Sequence, residues 1–338
     1  MTKRKLAIIS ATGFARAKHI PTYKSLDDFD LVACCDVNAE ALKETCDRFD
    51  IPGRYSSVDD MLAREQMDIV SVVVDPRGHI PLARKCVEAG RHVLVEKPLS
   101  EDYREIREFL AFLEGRKERV IVSQNYRWQN PALEMKSVLD AGHIGAPYWL
   151  DITIYNGTRS PAVRDGVKYK SPFVNIGVHE VDLARFLIGR EVVSVFAPRL
   201  SVSYAADVKY PFTDIMVNFE GGGVASIRMD WTGRGFDEWI RLRIEGTQAV
   251  ALCDYDSSPD VFVHRQGADP VRFHREGPPD SIPRVLRHLV DCIQSGRQPD
   301  TWVGDNIRTM EIVLGAYLSC SEGRVVKFPQ DRERLVQV

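Results

Sequence analysis

The stretch Lys5-Leu-Ala-Ile-Ile-Ser-Ala-Thr-Gly-Phe-Ala15 decides how the first third of the chain is read. A short apolar run, Lys5–Ile9, ends in a turn with one glycine, and Phe14–Leu26 follows with its apolar residues at helical spacing. Strand, tight turn and helix in that order open a βαβ unit. Outward from it the alternation continues. Leu31–Cys35, Ile69–Val74, His92–Val95 and Val120–Ser123 read as strands, with helices over Ala39–Phe49, Ser57–Arg64, His79–Ala89 and Asp102–Leu113 between them. This alternation predicts a parallel sheet with helices on both faces.

Beyond Pro131 the pattern changes. A helix over Ala132–Ala141 leads through Gly142 and Gly145 to a strand over Tyr148–Tyr155, then a basic loop, then a helix over Gly177–Leu187. Val192–Tyr204, Phe212–Phe219, Gly223–Trp231, Trp239–Glu245 and Ala249–Asp254 are long, partly alternating runs. Phe219-Glu-Gly-Gly-Gly-Val224 is a hairpin-type connection. Short turns between consecutive strands predict a mostly antiparallel sheet. Ile282–Gln294 and Asp305–Ser321 close the chain as helices.

Composition narrows the function. A chain of 338 residues makes one large domain or two ordinary ones. The 45 Lys and Arg against 48 Asp and Glu leave a net charge of −3, which argues against a nucleic-acid partner. No apolar run is long enough to span a membrane. The apolar run after Met-Thr-Lys-Arg-Lys5 is too short for a signal-peptide core. The cysteines at 34, 35, 46, 86, 253, 292 and 320 contain no Cys-x-x-Cys pair, so they read as buried thiols in a reducing compartment, with no zinc site. A cytoplasmic protein is expected.

Three places carry chemistry. In the turn after the first strand, Ser10, Thr12 and Ala15 stand where a dinucleotide loop has its three glycines, and Gly13 is out of phase. Read alone, this loop is an ordinary strand–turn–helix. Asp36 ends the second strand at the distance where a carboxylate would bind an adenosine ribose and repel a 2′-phosphate. Glu96-Lys97-Pro98 follows the strand His92–Val95, at the end of a parallel sheet where ligands gather, and Pro98 fixes the bend there. His179 and Asp182 share a helix face, with Asn175 one turn earlier.

Together these motifs are recognisable. The chain resembles the Gfo/Idh/MocA oxidoreductases through Ala89-Gly-Arg-His-Val-Leu-Val-Glu-Lys-Pro98, Asn175-Ile-Gly-Val-His-Glu-Val-Asp182, the crossover Gln124-Asn-Tyr-Arg-Trp128 and the ending Arg324-Val-Val-Lys-Phe-Pro329. The resemblance implies an α/β protein with a Rossmann domain over 1–124 and a second α/β domain over 125–338, the latter holding an open, mostly antiparallel sheet. It implies NAD(P)-dependent oxidation or reduction of a sugar, a polyol or a related compound. NAD is favoured over NADP by Asp36. A homodimer or homotetramer paired through the second sheet is expected.

The resemblance also assigns residues. Lys97 binds the reacting oxygen, His179 takes or returns its proton, and Asn175 orients the pair, where the family usually has Asp. The cofactor set is Ser10, Ala11, Thr12, Gly13, Phe14, Ala15, Asp36, Asp75, His79, Glu96, Lys97, Gln124 and Arg127. The substrate set is Lys97, Tyr126, Asn156, Asn175, His179 and Trp231. Asp75 adds a charge where the family often has a small or hydroxyl residue before proline. Arg159, Arg164, Lys168 and Lys170 against Asp165 give the loop before Asn175 a charge of +3, either a solvated loop or a grip on an anionic substrate. Trp231, Phe236 and Trp239 surround a turn with Gly233 and Gly235, and aromatic faces suit a carbohydrate. Two alternatives remain: an enzyme that cleaves glycosidic bonds by transient oxidation with no net redox, and a non-catalytic sensor of nucleotide or sugar.

Overall fold

The computed structural model describes residues 3–155, 163–164, 167–168, 173–200, 214–230, 239–255 and 258–338. The chain divides into two compact units, residues 1–124 with 280–307 and residues 125–279 with 308–338.

The first unit holds β1 (Arg4–Ile9), a π-helical turn Ala15–His19 continuing into α1 (Ile20–Lys24), β2 (Phe29–Cys35), α2 (Ala39–Arg48), β3 (Gly53–Tyr55) and α3 (Val58–Arg64). It continues with β4 (Ile69–Val72), α4 (Pro76–Glu88), β5 (His92–Val95), α5 (Tyr103–Leu113) and β6 (Val120–Val122). The strands lie in the order β3-β2-β1-β4-β5-β6, all parallel. Strands β4 and β6 are buried throughout, as expected for a sheet covered on both faces. The strand order reverses beside β1, and in such sheets ligands bind beyond the strand carboxyl ends at that point. Helix α4 starts at Pro76 and not at His79, because Asp75 caps it: Asp75 Oδ1 accepts from the Arg77 N–H at 3.1 Å.

The segment 280–307 groups with the first unit. It carries α8 (Ile282–Ser295), whose buried residues are Ile282, Val285, Leu286, His288, Leu289 and Cys292. Arg287 pairs with Asp28 at 2.9 Å, and Thr22 Oγ1 donates to Asp280 at 3.0 Å. Past α8, the Val122 N–H donates to Thr301 O at 3.0 Å and Thr301 Oγ1 returns a bond to Val122 O at 2.7 Å. These residues extend the first sheet's edge, so they fold with it. The last helix, α9 (Val303–Glu322), belongs to the first unit up to Ile307 and to the second from Arg308.

The second unit begins with a 3₁₀ turn, Asn125–Trp128, and contains α6 (Asn130–Asp140), β7 (Pro147–Tyr155), β8 (Val163–Arg164), β9 (Val167–Lys168), a π-helical turn Phe173–Gly177 and α7 (Val178–Ile188). Strands β10 (Val192–Phe196), β11 (Asp214–Phe219), β12 (Val224–Asp230), β13 (Trp239–Gly246), β14 (Val250–Asp254), β15 (Val261–His264), β16 (Val271–Phe273) and β17 (Val326–Lys327) complete it. The main sheet runs β16-β15-β14-β13-β7-β12-β11-β10-β17, antiparallel except for the β7–β12 pair. Along β7, Leu150, Ile152 and Ile154 are buried while Trp149 is exposed, the period of a half-covered sheet. Between β11 and β12, Gly221, Gly222 and Gly223 all have positive φ, which is why the turn needs glycine.

All seven cysteines are buried and unbridged. Among the described residues no helix is long and apolar enough to cross a membrane.

Candidate functional site

In the first unit the loop after β1 has two residues at positive φ. Ser10 sits at φ +125° and Gly13 at φ +48°, both in territory that favours glycine. Holding a serine there costs about 1–3 kcal/mol and requires compensation nearby. Asp36 supplies much of it. Its Oδ2 accepts from the Ala11 N–H at 2.7 Å and its Oδ1 from the Asn38 N–H at 2.8 Å. Thr45 Oγ1 then fastens Ala11 O at 2.8 Å. Thr12 is exposed, with its N–H donating to Ser10 Oγ at 3.3 Å and its own Oγ1 3.5 Å from that oxygen, so it folds back over the loop. A side chain at Gly13 would meet nothing within 4 Å. Thr12, Gly13 and Phe14 are therefore exposed residues at the tip of the loop, with Asp36 half-buried at the end of β2.

Lys97 stands at the carboxyl end of β5, half-buried, and its N–H donates to Glu96 Oε2 at 3.2 Å. Glu96 is 7% exposed. Its other oxygen faces His19 Nε2 at 2.9 Å. Burial by itself would raise this carboxyl; the hydrogen bond and charge of His19, then Lys97 and Ser123, outweigh burial and hold it at about 2. Glu96 is thus an inward anion that frames Lys97.

His79 also faces inward. It is buried, with Nδ1 2.7 Å from Pro98 O and Nε2 3.0 Å from Val74 O. A neutral imidazole has one N–H for those two carbonyls. Burial pushes this ring below the usual histidine range. His79 therefore holds the turn after Lys97 against the end of β4. Asp75 is spent on the helix cap and on Arg77, whose hydrogen bond lowers its pKa. Gln124, at the end of β6, is 1% exposed, and both polar atoms of its amide are buried without a hydrogen-bond partner among the described residues.

In the second unit the site is built by packing. The π-helical turn Phe173–Gly177 carries Asn175 and delivers His179 into the first turn of α7. A Cβ at Gly177 would lie 2.5 Å from the Phe173 ring and 3.2 Å from Met229, so only glycine lets this turn close. The ring of Tyr126 stacks on His179 at 4.2 Å and 5°. Tyr255 braces Tyr126 in turn, donating its hydroxyl to Tyr126 O at 2.8 Å. Arg127 grips Asp182 with two bonds of 2.5 and 2.7 Å, and Thr309 adds a third to the same carboxylate at 3.0 Å. That buried bidentate pair ties the 3₁₀ turn to α7. Asn156, Trp231 and the side chain of Asn175 lie outside the described residues, as do Phe236 and most of the basic loop.

His19, Tyr255 and Gly177 were not singled out from sequence. His19 and Tyr23 at i and i+4 on one helix were the available signal for the first; the others depend on contacts far apart in the chain.

Comparison with known proteins agrees with this architecture. Residues 4–124 match the oxidoreductase family with an NAD-binding Rossmann fold, and residues 132–252 match the C-terminal domain of the same GFO/IDH/MocA family. The chain belongs to the GFO/IDH/MocA family. A D-apiose dehydrogenase of Paraburkholderia graminis is 24% identical over 343 residues, 96% of this chain and 90% of that one. Inositol 2-dehydrogenase 1 of Saccharopolyspora erythraea is 30% identical over 251 residues, 72% of this chain and 73% of that one. The crystal structure of aldose-aldose oxidoreductase from Caulobacter crescentus, complexed with glycerol, has a TM-score of 0.86 at 21% identity, covering 97% of this chain and 100% of that one. The protein is an NAD(P)-dependent oxidoreductase whose first unit is an NAD-binding Rossmann domain.

Proposed function

We propose that the protein is an NAD-dependent dehydrogenase, or in reverse a reductase, acting at a carbinol or carbonyl carbon of a sugar, an inositol-like polyol or a sugar derivative. The observation that carries this reading is the setting of Lys97, half-buried at a strand carboxyl end of an NAD-binding unit beside an ionised carboxylate. The relatives named for apiose, inositol and aldoses support the substrate class.

The residues present fit the cofactor. The exposed residues Thr12, Gly13 and Phe14, flanked by Ser10, Ala11 and Ala15, would hold the pyrophosphate, and Asp36 the ribose hydroxyls. Gln124 would give its two orphaned amide atoms to the nicotinamide end, since unpaired buried polar atoms cost about 1–3 kcal/mol each. Asp36 would repel a 2′-phosphate, which favours NAD. His79 and Glu96 serve the cofactor set by shaping the Lys97 turn, Asp75 by capping α4, and Arg127 by holding α7.

When bound, NAD supplies the hydride acceptor. Lys97 holds the substrate oxygen and stabilises the negative charge that grows on it as the carbon–hydrogen bond breaks. The hydroxyl proton passes to the imidazole of His179 and returns from it in reduction. Two electrons leave with the hydride and the proton stays on the enzyme, so the step balances. Asn175 and Tyr126 orient His179, while Asn156 and Trp231 remain candidates for substrate contact. We read the exposed sheet face of the second unit, with Met216 and Phe262 in register across it, as the surface that pairs two copies in a homodimer or homotetramer. The unbridged thiols fit a reducing compartment such as the cytoplasm.

The test is a panel of aldoses, apiose and inositols with NAD⁺, read by the absorbance of reduced nicotinamide. Turnover of at least one is expected. Nucleotide binding without turnover across the panel overturns the reading, and substrate cleavage with no net reduced nicotinamide assigns the transient-oxidation chemistry instead.

A further inference from the structure

Behind Lys97, Glu96 joins a chain of buried polar groups whose other members, His19, Tyr23 and Ser71, the proposed chemistry does not use. His19 is fully buried, and its Nε2 lies 2.9 Å from Glu96 Oε1. Its Nδ1 lies 2.7 Å from the Tyr23 hydroxyl, which is 2.9 Å from Ser71 Oγ. Tyr23 is 1% exposed and Ser71 fully buried. A carboxylate only accepts, so His19 Nε2 carries the proton. Its Nδ1 pairs with the Tyr23 hydroxyl, which pairs in turn with Ser71 Oγ, and each hydroxyl can donate or accept. Every polar atom in the chain then has a partner. Four buried polar groups from four elements are costly unless completely satisfied, and a completely satisfied network fixes geometry.

His19, in the middle of this chain, also borders the loop after β1. His19 is the last residue of the π-helical turn that begins at Ala15, and such turns concentrate at functional sites. The ring of Phe14, 51% exposed on the loop, meets the His19 ring edge-on at 5.2 Å. One end of the chain is Glu96, whose Oε2 receives the Lys97 N–H and whose charge interacts with that of Lys97. Charged or titratable groups also acting on this cluster are His79 from α4 and Asp280 from the segment before α8.

We propose that His19 is a positioning residue for Lys97: through Glu96 it sets the lysine's placement, and through Phe14 it links that placement to occupation of the nucleotide loop. The proposal rests on the reading of Lys97 as the group that holds the reacting oxygen. His19 never touches substrate. It keeps Glu96 in one orientation, and Glu96 keeps Lys97 in one orientation.

The test uses His19→Ala, His19→Gln and Glu96→Gln in the full chain. The glutamine at 19 retains an N–H for Glu96 and an oxygen for Tyr23. First, Lys97 is labelled with a limiting amine-directed acetylating reagent, with and without NAD⁺, and its extent measured by mass spectrometry relative to the other lysines. The wild type should show Lys97 labelling that changes when NAD⁺ binds. His19→Ala and Glu96→Gln should label several-fold faster and lose that response, and His19→Gln should stay close to wild type. Lys97 labelling in His19→Ala that matches wild type, NAD⁺ response included, overturns the proposal even if the enzyme turns over nothing in the panel.

Second, with any substrate found, His19→Ala should lower kcat roughly 10- to 100-fold, the scale expected of a misplaced catalytic group, with little change in the KM for NAD⁺. His19→Gln should recover most of that loss. A loss in His19→Ala that follows unfolding or lost NAD⁺ binding, and that glutamine does not repair, makes the residue merely structural and overturns the proposal. Failure of the sugar panel with the labelling pattern intact rejects the proposed reaction and not the linkage.

Discussion

Each unit places a π-helical turn just before a helix that carries or frames its candidate catalytic residue, and the two turns are held by different forces. In the first, Ala15–His19 is braced by hydrogen bonds and charge, from His19 to Glu96 and Tyr23. In the second, Phe173–Gly177 is braced by close packing of Gly177 on Phe173 and Met229, with Tyr126 stacked on the delivered His179. A polar brace fails when a partner is removed or protonated, because what is left is buried and unpaired. An apolar brace fails when volume is added, because a close-packed interior has nowhere to put it.

The largest effects should fall on the residues the braces serve. Lys97→Ala and His179→Ala should each lower kcat by roughly 10²–10⁴, the range of a positioned acid–base group, with the melting temperature nearly unchanged. Steady-state rates beside a thermal melt check this, and near-normal turnover in either variant removes that residue from the mechanism.

Next comes the polar brace itself. Glu96 titrates at about 2 in the fold against an ordinary 4.5, a depression worth about 3 kcal/mol. A lowered carboxyl contributes stability that is complete above its ordinary range and lost as pH falls from about 4.5 towards 2. Denaturant unfolding of Glu96→Gln should therefore show its full deficit at neutral pH, and that deficit should close on acidification. A deficit independent of pH would mean that shape and not charge holds the turn.

The apolar brace should respond to volume alone. Gly177→Ala puts a Cβ against the Phe173 ring and should cost about 1–3 kcal/mol at every pH, with kcat reduced because His179 shifts. A pH-dependent loss there would erase the contrast between the two turns.

Much of this arrangement was legible in the sequence. The β-branched run through Ile69 and the apolar His92–Val95 made parallel strands readable, and Glu96-Lys97-Pro98 then had to lie at a carboxyl end. Strands β3, β8, β9, β15, β16 and β17 were missed because runs of 3, 2, 2, 4, 3 and 2 residues carry no period. The return of 280–307 to the first unit was hidden because an amphipathic helix shows its apolar face but not which surface it covers. His19 escaped notice because its partner, Glu96, lies 77 residues away. Ser10 stands where a dinucleotide loop has its first glycine, and the sequence does not show that the backbone there adopts φ +125° with Asp36 bonded to the next residue.

That last point yields the smallest prediction. Ser10→Gly should relieve the strain and stabilise the fold by about 1–3 kcal/mol at most, seen as a higher melting temperature with NAD⁺ affinity retained. A lower melting temperature would mean that the serine hydroxyl's contact with the Thr12 N–H outweighs the strain.

The measurement that tests most directly whether this loop works as a nucleotide site is a thermal-shift titration of the purified protein with NAD⁺, NADH, NADP⁺ and NADPH, after its absorbance has been checked for carried-over cofactor. Ligands that bind only the native state raise the melting temperature in proportion to the logarithm of their concentration. NAD⁺ and NADH should stabilise the protein, and the phosphorylated pair much less, because Asp36 repels the 2′-phosphate. Stabilisation by NADP⁺ and NADPH alone would contradict the role of Asp36. No stabilisation by any of the four, with no cofactor already bound, would contradict the dehydrogenase reading itself.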